Sequence, residues 1–391
     1  MKKINILIIS IIILILSSSF VIIPGCTSTS TAETTAAAAE TTEAAAETTA
    51  AETVAQGTPV KVAFISPEQT NESSQRQWKQ LQNEVEGRGW EIVATELQAT
   101  YEADAERTAF IRVMEKNPDA IVVAYVELNP LKDLCLEAES KGIGVYIVGE
   151  AWVPGMVGSF KSDDSIIGAQ IGSYAIERLM GSAKNVGFLD LWMPRGARRD
   201  IVVAAMFEKG GYDVGNTEHH MVTPEGYTDE IFSTASQWIT KYGKDIPFIW
   251  VCWDLGGITV ANAMAQAGFT ENEMFSVGID GGAQAWAVIR DGKIPFVASL
   301  AEPFEYMMHS CCEAIQQVEV EGLTPGDGKC IVPATRNVET SYMTKIITKA
   351  NVPPIGTKIY EVFDNYKEDP NNPDSWINWG EPYTVQEFQT E

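Results

Sequence analysis

Bases are scarce in this chain of 391 residues: 28 Lys and Arg stand against 53 Asp and Glu, a formal net charge of −25 at pH 7. A surface that neutralises phosphates needs the opposite balance, so nucleic-acid binding is excluded. Histidine is scarcer still. His219, His220 and His309 are the whole complement, with no H-x-x-x-H spacing, and the 6 cysteines contain no C-x-x-C pair; no metal site is expected. Gly142-Ile143-Gly144 leads into a strand instead of following one, so the dinucleotide fingerprint is missing. The segment Asp369–Asp374 lacks the glycine and glutamate of a calcium loop and reads as turn chemistry. No nucleophile paired with a base is apparent, so no enzyme and no cofactor are expected. What the chain has is bulk: 10 Trp and 45% hydrophobic residues exclude a disordered acidic protein, and the length allows two domains or one large one.

The N-terminus points to export. Met1-Lys2-Lys3 is a short cationic stretch, and the nearly all-apolar run Ile4 to Ile23 is followed by Pro24-Gly25-Cys26. That layout reads as a signal peptide over residues 1–25 ending at a lipobox-like cysteine, with Cys26 lipidated as the first mature residue. The other reading is an uncleaved apolar anchor, because twenty residues at about 1.5 Å each can span a bilayer of about 30 Å. Both tether the folded part outside the cytoplasm. Residues 26–58 use little but Thr, Ala, Ser and Glu, with five glutamates and no base. No apolar face exists there, so a hydrated, disordered spacer is expected. Cys135, Cys252, Cys311, Cys312 and Cys330 remain; Cys330 with Cys311 or Cys312 is the pair nearest in sequence, and buried free thiols are the alternative.

From Val60 onward, apolar runs alternate with amphipathic ones. Strands are expected at Val60–Ser66, Glu91–Leu97, Ala120–Val126 and Val145–Val148, with helices at Ala103–Lys116 and Pro130–Lys141 among those between them. After a break at Val157–Asp164 the pattern restarts, with strands at Val186–Leu191, Phe248–Trp253, Phe275–Ile279 and Val297–Leu300 between further helices. Two similar βα halves imply an α/β protein of two doubly wound parallel-sheet lobes, with ligands expected at the carboxyl edge of the strands.

The order of elements, together with Pro118-Asp119-Ala120-Ile121-Val122-Val123, Ser162-Asp163-Asp164, Phe275-Ser276-Val277-Gly278-Ile279-Asp280-Gly281 and Asp291-Gly292-Lys293-Ile294, resembles the periplasmic sugar-binding proteins of the ribose/galactose type, the type I solute-binding proteins of ABC transporters. The resemblance runs from about Val60 to Val352 and implies two lobes joined by a three-segment hinge. It implies an N-terminal lobe of residues 59–160 plus 303–335, a C-terminal lobe of 161–302 plus 336–365, and a tail of 366–391. The crossovers would lie near Gly158–Ser162, Glu302–Phe304 and Ile331–Thr335.

A sugar site needs planar hydrogen-bonding groups for hydroxyls and aromatic faces for the C–H side of the ring. Asp280, at a strand end before two glycines, falls where the family's aspartate accepts sugar hydroxyls; capping the helix that begins near Ala283 is the bland alternative. Arg199 in Arg195-Gly196-Ala197-Arg198-Arg199-Asp200 falls on the family's ligand-binding arginine, with Arg198 as runner-up. Asn71 follows the first strand, while Ser73 and Ser74 replace stacking aromatics. Stacking could come instead from Trp152, Trp192 or Trp253, or from Trp78, whose spacing with Leu81 and Val85 is that of a core residue. Glu150, Trp253-Asp254 and Glu302 depart from the family's pattern. If Glu150, Asp280 and Glu302 all face the cleft, three carboxylates surround one ligand against a single Arg199, which suits a polyol or a cation.

The expected function is that of a solute-binding lipoprotein outside the cytoplasm. It would be anchored to the membrane at Cys26, capture a monosaccharide, polyol or related small molecule by hinge closure, and deliver it as a monomer to an ABC transporter permease. A ligand-sensing receptor for a chemoreceptor or histidine kinase is the alternative.

Overall fold

The computed structural model describes residues 58–66, 71–97, 102–125, 129–180, 185–214, 219–223, 226–340, 343–363 and 368–385. The signal peptide, Cys26 and the spacer expected before residue 58 lie outside the described residues.

The first lobe is built from β1 (Lys61–Ser66), α1 (Glu72–Arg88), β2 (Glu91–Leu97), α2 (Ala103–Met114), β3 (Ala120–Ala124), α3 (Lys132–Ser140), β4 (Gly144–Val148) and β5 (Gly158–Lys161). The second follows with α4 (Asp164–Leu179), β6 (Gly187–Leu191), α5 (Pro194–Lys209), β7 (His219–Val222), α6 (Tyr227–Tyr242), β8 (Ile249–Val251), α7 (Asp254–Gln266), β9 (Ser276–Asp280), α8 (Ala283–Asp291) and β10 (Phe296–Ala301). The chain then adds α9 (Phe304–Ile315), β11 (Asn337–Glu339) and β12 (Lys345–Thr348).

Six strands form the first sheet in the order β11-β5-β4-β3-β1-β2, and every pairing in it is parallel. Its two faces follow the period of two in the sequence. Val62 and Phe64 of β1 enter one core with Met307, Cys311 and Ile315 of α9. Ala63 and Ile65 enter another with Phe110 and Leu134 of α2 and α3. β3 and β4, covered on both faces, are buried throughout, whereas β2 at the edge is mostly half-buried or exposed. Trp78 lies in this core, stacked on Phe64 with ring centroids 5.0 Å apart.

The second lobe carries β7-β6-β8 and β12-β10-β9, linked by a parallel bridge between Phe248 and Phe275. Among the described strands of this lobe, only β12 runs antiparallel to its neighbour. Its large core joins Ile167 and Ile171 of α4, Val203 and Phe207 of α5 and Trp238 of α6 to strand residues such as Phe188 and Trp250.

Two segments differ from the sequence reading. Gly158–Lys161, read as part of a break, is β5, whose extension is dictated by backbone pairing with β4 and not by an apolar run. Asn337–Glu339, assigned with residues 336–365 to the C-terminal lobe, pairs with β5 in the first sheet, where Ser159 N donates to Arg336 O at 2.8 Å. Cys135, Cys252, Cys311, Cys312 and Cys330 are all free and buried.

Candidate ligand cleft

Helix starts and strand ends from both lobes converge on one cleft of about 610 Å³, solvent-facing space included. Asn71, Ser73 and Tyr125 line it from the first lobe; Trp192, Arg195, Arg199, Tyr227, Trp253 and Asp280 are the main contributors from the second.

Asn71 caps α1. Its Oδ1 accepts from Ser73 N at 2.9 Å and from Ser73 Oγ at 2.7 Å, which leaves the amide Nδ2 to donate into the cleft. Across from it, three rings form a corner. Trp192 and Tyr227 lie 6.1 Å apart, and Tyr227 meets Trp253 at 6.0 Å with planes 72° apart. Trp253 precedes α7 as its N-cap residue, so its position is set by the start of that helix.

Two glycines shape the arginine wall. Gly168 and Gly172 of α4 face Arg199 and Val203 of α5 so closely that a Cβ on Gly168 would sit 3.2 Å from Arg199 O. The two helices therefore approach tightly and bring Arg195, Arg198 and Arg199 against Asp164, the first residue of α4. Asp164 Oδ1 accepts from Arg195 Nε at 3.2 Å and Arg199 Nε at 3.0 Å, while its Oδ2 accepts from Arg198 Nε at 2.9 Å. Glu302, fully buried, accepts from Arg195 Nη2 at 2.6 and 2.5 Å and from Arg199 Nη2 at 2.5 Å. Glu150 Oε1 accepts from Arg198 Nη2 at 2.6 Å. Three guanidiniums are thus matched by three carboxylates in a connected network, the condition under which buried charge is tolerated.

That network revises the reading of three carboxylates against a single Arg199. Asn71, Arg199, Trp253 and Asp280 line the cleft; Glu150, Asp254 and Glu302 stand behind its wall. Glu150 and Glu302 are counter-ions to arginines. Asp254 accepts through Oδ2 from Gly281 N at 2.9 Å and Gly282 N at 3.0 Å, so it holds the loop that carries Asp280. Asp280 is the cleft carboxylate outside that matched set. Its φ of 123° lies in the region that strains an L-residue, at a position that faces the pocket. Burial drives its carboxyl up to about 7, opposed by Arg199 and reinforced by Glu302. Burial and the neighbouring Asp280 push Asp254 well above the carboxylate range too.

Arg76, Tyr125, Arg195 and Tyr227 are site residues the sequence reading passed over. Arg195 carried a usable signal, since it precedes Arg199 by four and so shares its helix face. Tyr125, with a φ of 53°, lies under the Arg195 guanidinium at 5.0 Å. Arg76 of α1 is fully buried and bonds Glu305 of α9 at 2.7 Å; it also donates to Asp280 O at 3.1 Å, Gly281 O at 3.2 Å and Glu302 O at 3.1 Å. Glu72, four residues earlier, accepts from Ala283 N and from Gln284 N. Together with Arg195 Nη1, which donates to Gly149 O at 3.1 Å, these bonds shut the two lobes against each other.

The sequence profile described as "Periplasmic binding protein domain" matches residues 62–318. The chain belongs to the periplasmic binding protein family. Membership assigns it to extracytoplasmic proteins that bind solutes and do not catalyse reactions. Solved structures share the fold. A sugar ABC transporter protein from Yersinia enterocolitica superposes with a TM-score of 0.66 at 15% identity, covering 81% of this chain and 92% of that one. An ABC transporter solute-binding protein from Agrobacterium vitis with bound allitol gives 0.64 at 17%, covering 75% and 97%. The Caulobacter myo-inositol binding protein bound to myo-inositol gives 0.63 at 14%, covering 77% and 97%. No curated protein matches the sequence.

Proposed function

We propose that the protein captures an uncharged sugar or polyol between its lobes, outside the cytoplasm and tethered by a lipid on Cys26, and presents the closed form to an ABC transporter permease. The observation that carries this reading is the pairing of an aromatic corner with a charge-compensated arginine wall. Rings of Trp192, Tyr227 and Trp253 suit the C–H face of a sugar, while Asn71, Arg199 and Asp280 offer donors and an acceptor to its hydroxyls. Because Arg195 and Arg199 already share Glu302 and Asp164, they donate hydrogen bonds without presenting net positive charge. An anionic ligand such as a uronate or sugar phosphate would meet Asp280 without an unmatched cation to offset it. The neighbours that carry allitol and myo-inositol support the same chemistry.

In this reading the lobes are residues 59–160 with 303–340, and 161–302 with 343–365. Closure about the segments between them brings Asn71 to the ligand held by the second lobe. A thermal-shift screen with hexoses, pentoses, hexitols, inositols and their carboxylate and phosphate derivatives tests it. A ligand that binds only the folded state raises the melting temperature. Neutral polyols are expected to do so and the anions not. Response to anions alone would reject the reading.

A further inference from the structure

The segment after β12 leaves the second lobe and returns to it. Ile359, Val362 and Phe363 are buried among Trp286, Ile289 and Ile347, and Lys345 Nζ donates to Val362 O at 3.1 Å. Farther along, the chain runs back beside this anchor: Ile359 N donates to Tyr383 O at 3.0 Å, Gly356 N to Val385 O at 2.8 Å, and Val385 N to Thr357 O at 2.9 Å. Val385 is buried in the same cluster.

Before the second anchor, residues 376–383 lie on the first lobe. Trp376 stacks on His309 of α9 with centroids 4.7 Å apart and planes 16° apart. Trp379 sits against Gly87, and the Arg88 guanidinium lies 5.2 Å from its ring. Asn83 Nδ2 donates to Glu381 O at 3.1 Å and Tyr383 OH to Gln75 Oε1 at 3.3 Å. These contacts run along α1 from Gln75 to Arg88, roughly 20 Å of helix at about 1.5 Å per residue. Neither tryptophan lines the cleft, and the family domain ends at residue 318, before this segment begins.

We propose that the described residues 356–363 and 368–385 form a strap between the lobes that holds them shut in the absence of ligand. Opening the hinge carries α1 and α9 away from α8 and β10. A segment fixed at two points on one lobe must then strip both tryptophans from the other, exposing two large rings to water. The shut state is therefore populated before ligand arrives, and a ligand that requires it loses little affinity to rearrangement.

Hydrogen exchange on the full chain in detergent solution tests this without any ligand. The amides of Ala283 and Gln284 are bonded to Glu72 across the lobe boundary, so they are protected only while the lobes are shut. Trp376→Ala with Trp379→Ala is expected to speed exchange at these two amides by about tenfold or more, while β3 and β4 keep their protection. Unchanged exchange at 283 and 284 in a double variant whose β3 and β4 remain protected overturns the proposal. Should the tryptophan variant lose protection throughout, the milder Asn83→Ala with Tyr383→Phe must show the same selective gain, and equal exchange in it overturns the proposal as well.

Discussion

The two walls of the cleft are built from different chemistry. The first lobe offers Asn71, Ser73 and Tyr125, two of them small and set at the beginning of one helix. The second offers three aromatic rings, two guanidiniums and Asp280 from four separate segments. The second wall rests on a buried ionic network that is also part of its core, whereas Asn71 rests on a helix cap. If the cleft is the ligand site, most of the contacts come from the second lobe, so binding and folding are expected to be hard to separate on that side and easy on the other.

The largest break in this contrast is expected at Glu302. Glu302→Ala leaves Arg195 and Arg199 with only one of their two shared carboxylates, Asp164, and breaking such a buried pair costs about 3–5 kcal/mol. Chemical denaturation should show that loss, or no folded protein at all; a variant as stable as the parent would mean the arginines find water instead. Next, Asp280→Ala is expected to weaken ligand binding by more than about tenfold, the cost of a lost charge-assisted hydrogen bond. The fold should survive, because burial already disfavours that carboxylate. Calorimetry with the polyol found by screening checks it, and unchanged affinity would remove Asp280 from the site.

On the first wall, Asn71→Ala loses a helix cap, about 1 kcal/mol of stability, and weakens binding as well. Asn71→Ser restores the cap without the amide, so recovered stability with still-weak binding would separate the two roles. A separate effect is a pH dependence of stability at Asp200, which accepts from Trp250 Nε1 at 2.6 Å and Leu191 N at 3.1 Å. Burial raises its carboxyl to about 7, so between about pH 4 and 7 the folded state holds a proton that the unfolded state has released. Stability accordingly falls as pH rises through that window. Asp280 titrates in the same window, so Asp200→Asn should lessen the slope of melting temperature from pH 4.5 to 7.5 without abolishing it, and an unaltered slope would place the titration elsewhere.

The alternation of strands and helices was legible because each element states its own period. β3 and β4 are short apolar runs, and α4 is announced by Asp163, whose side chain caps it through Ser165 N at 2.8 Å. That Asp280 and Trp253 line the cleft was legible from their places at strand ends. The roles of Glu150 and Glu302 were not. Glu302 finds its partners 107 and 103 residues away, and no local spacing distinguishes a carboxylate aimed at a ligand from one aimed at a guanidinium. Arg76 was hidden for the same reason: it sits in a polar stretch of α1, and only the fold shows that it meets Glu305 and the carbonyls of residues 280, 281 and 302. β11 was missed because its three residues are extended by pairing and not by composition.

The enclosure of the arginine network also bears on where such a protein can work. Mobile ions screen exposed charges over about 10 Å at 0.1 M salt, but they do not enter a wall in which Arg195, Arg199, Asp164 and Glu302 are all nearly inaccessible. Outside the cytoplasm, dilution and brine are set by the surroundings and not by the cell. A cleft wall whose charges are paired internally is expected to keep its shape in fresh water and in salt alike.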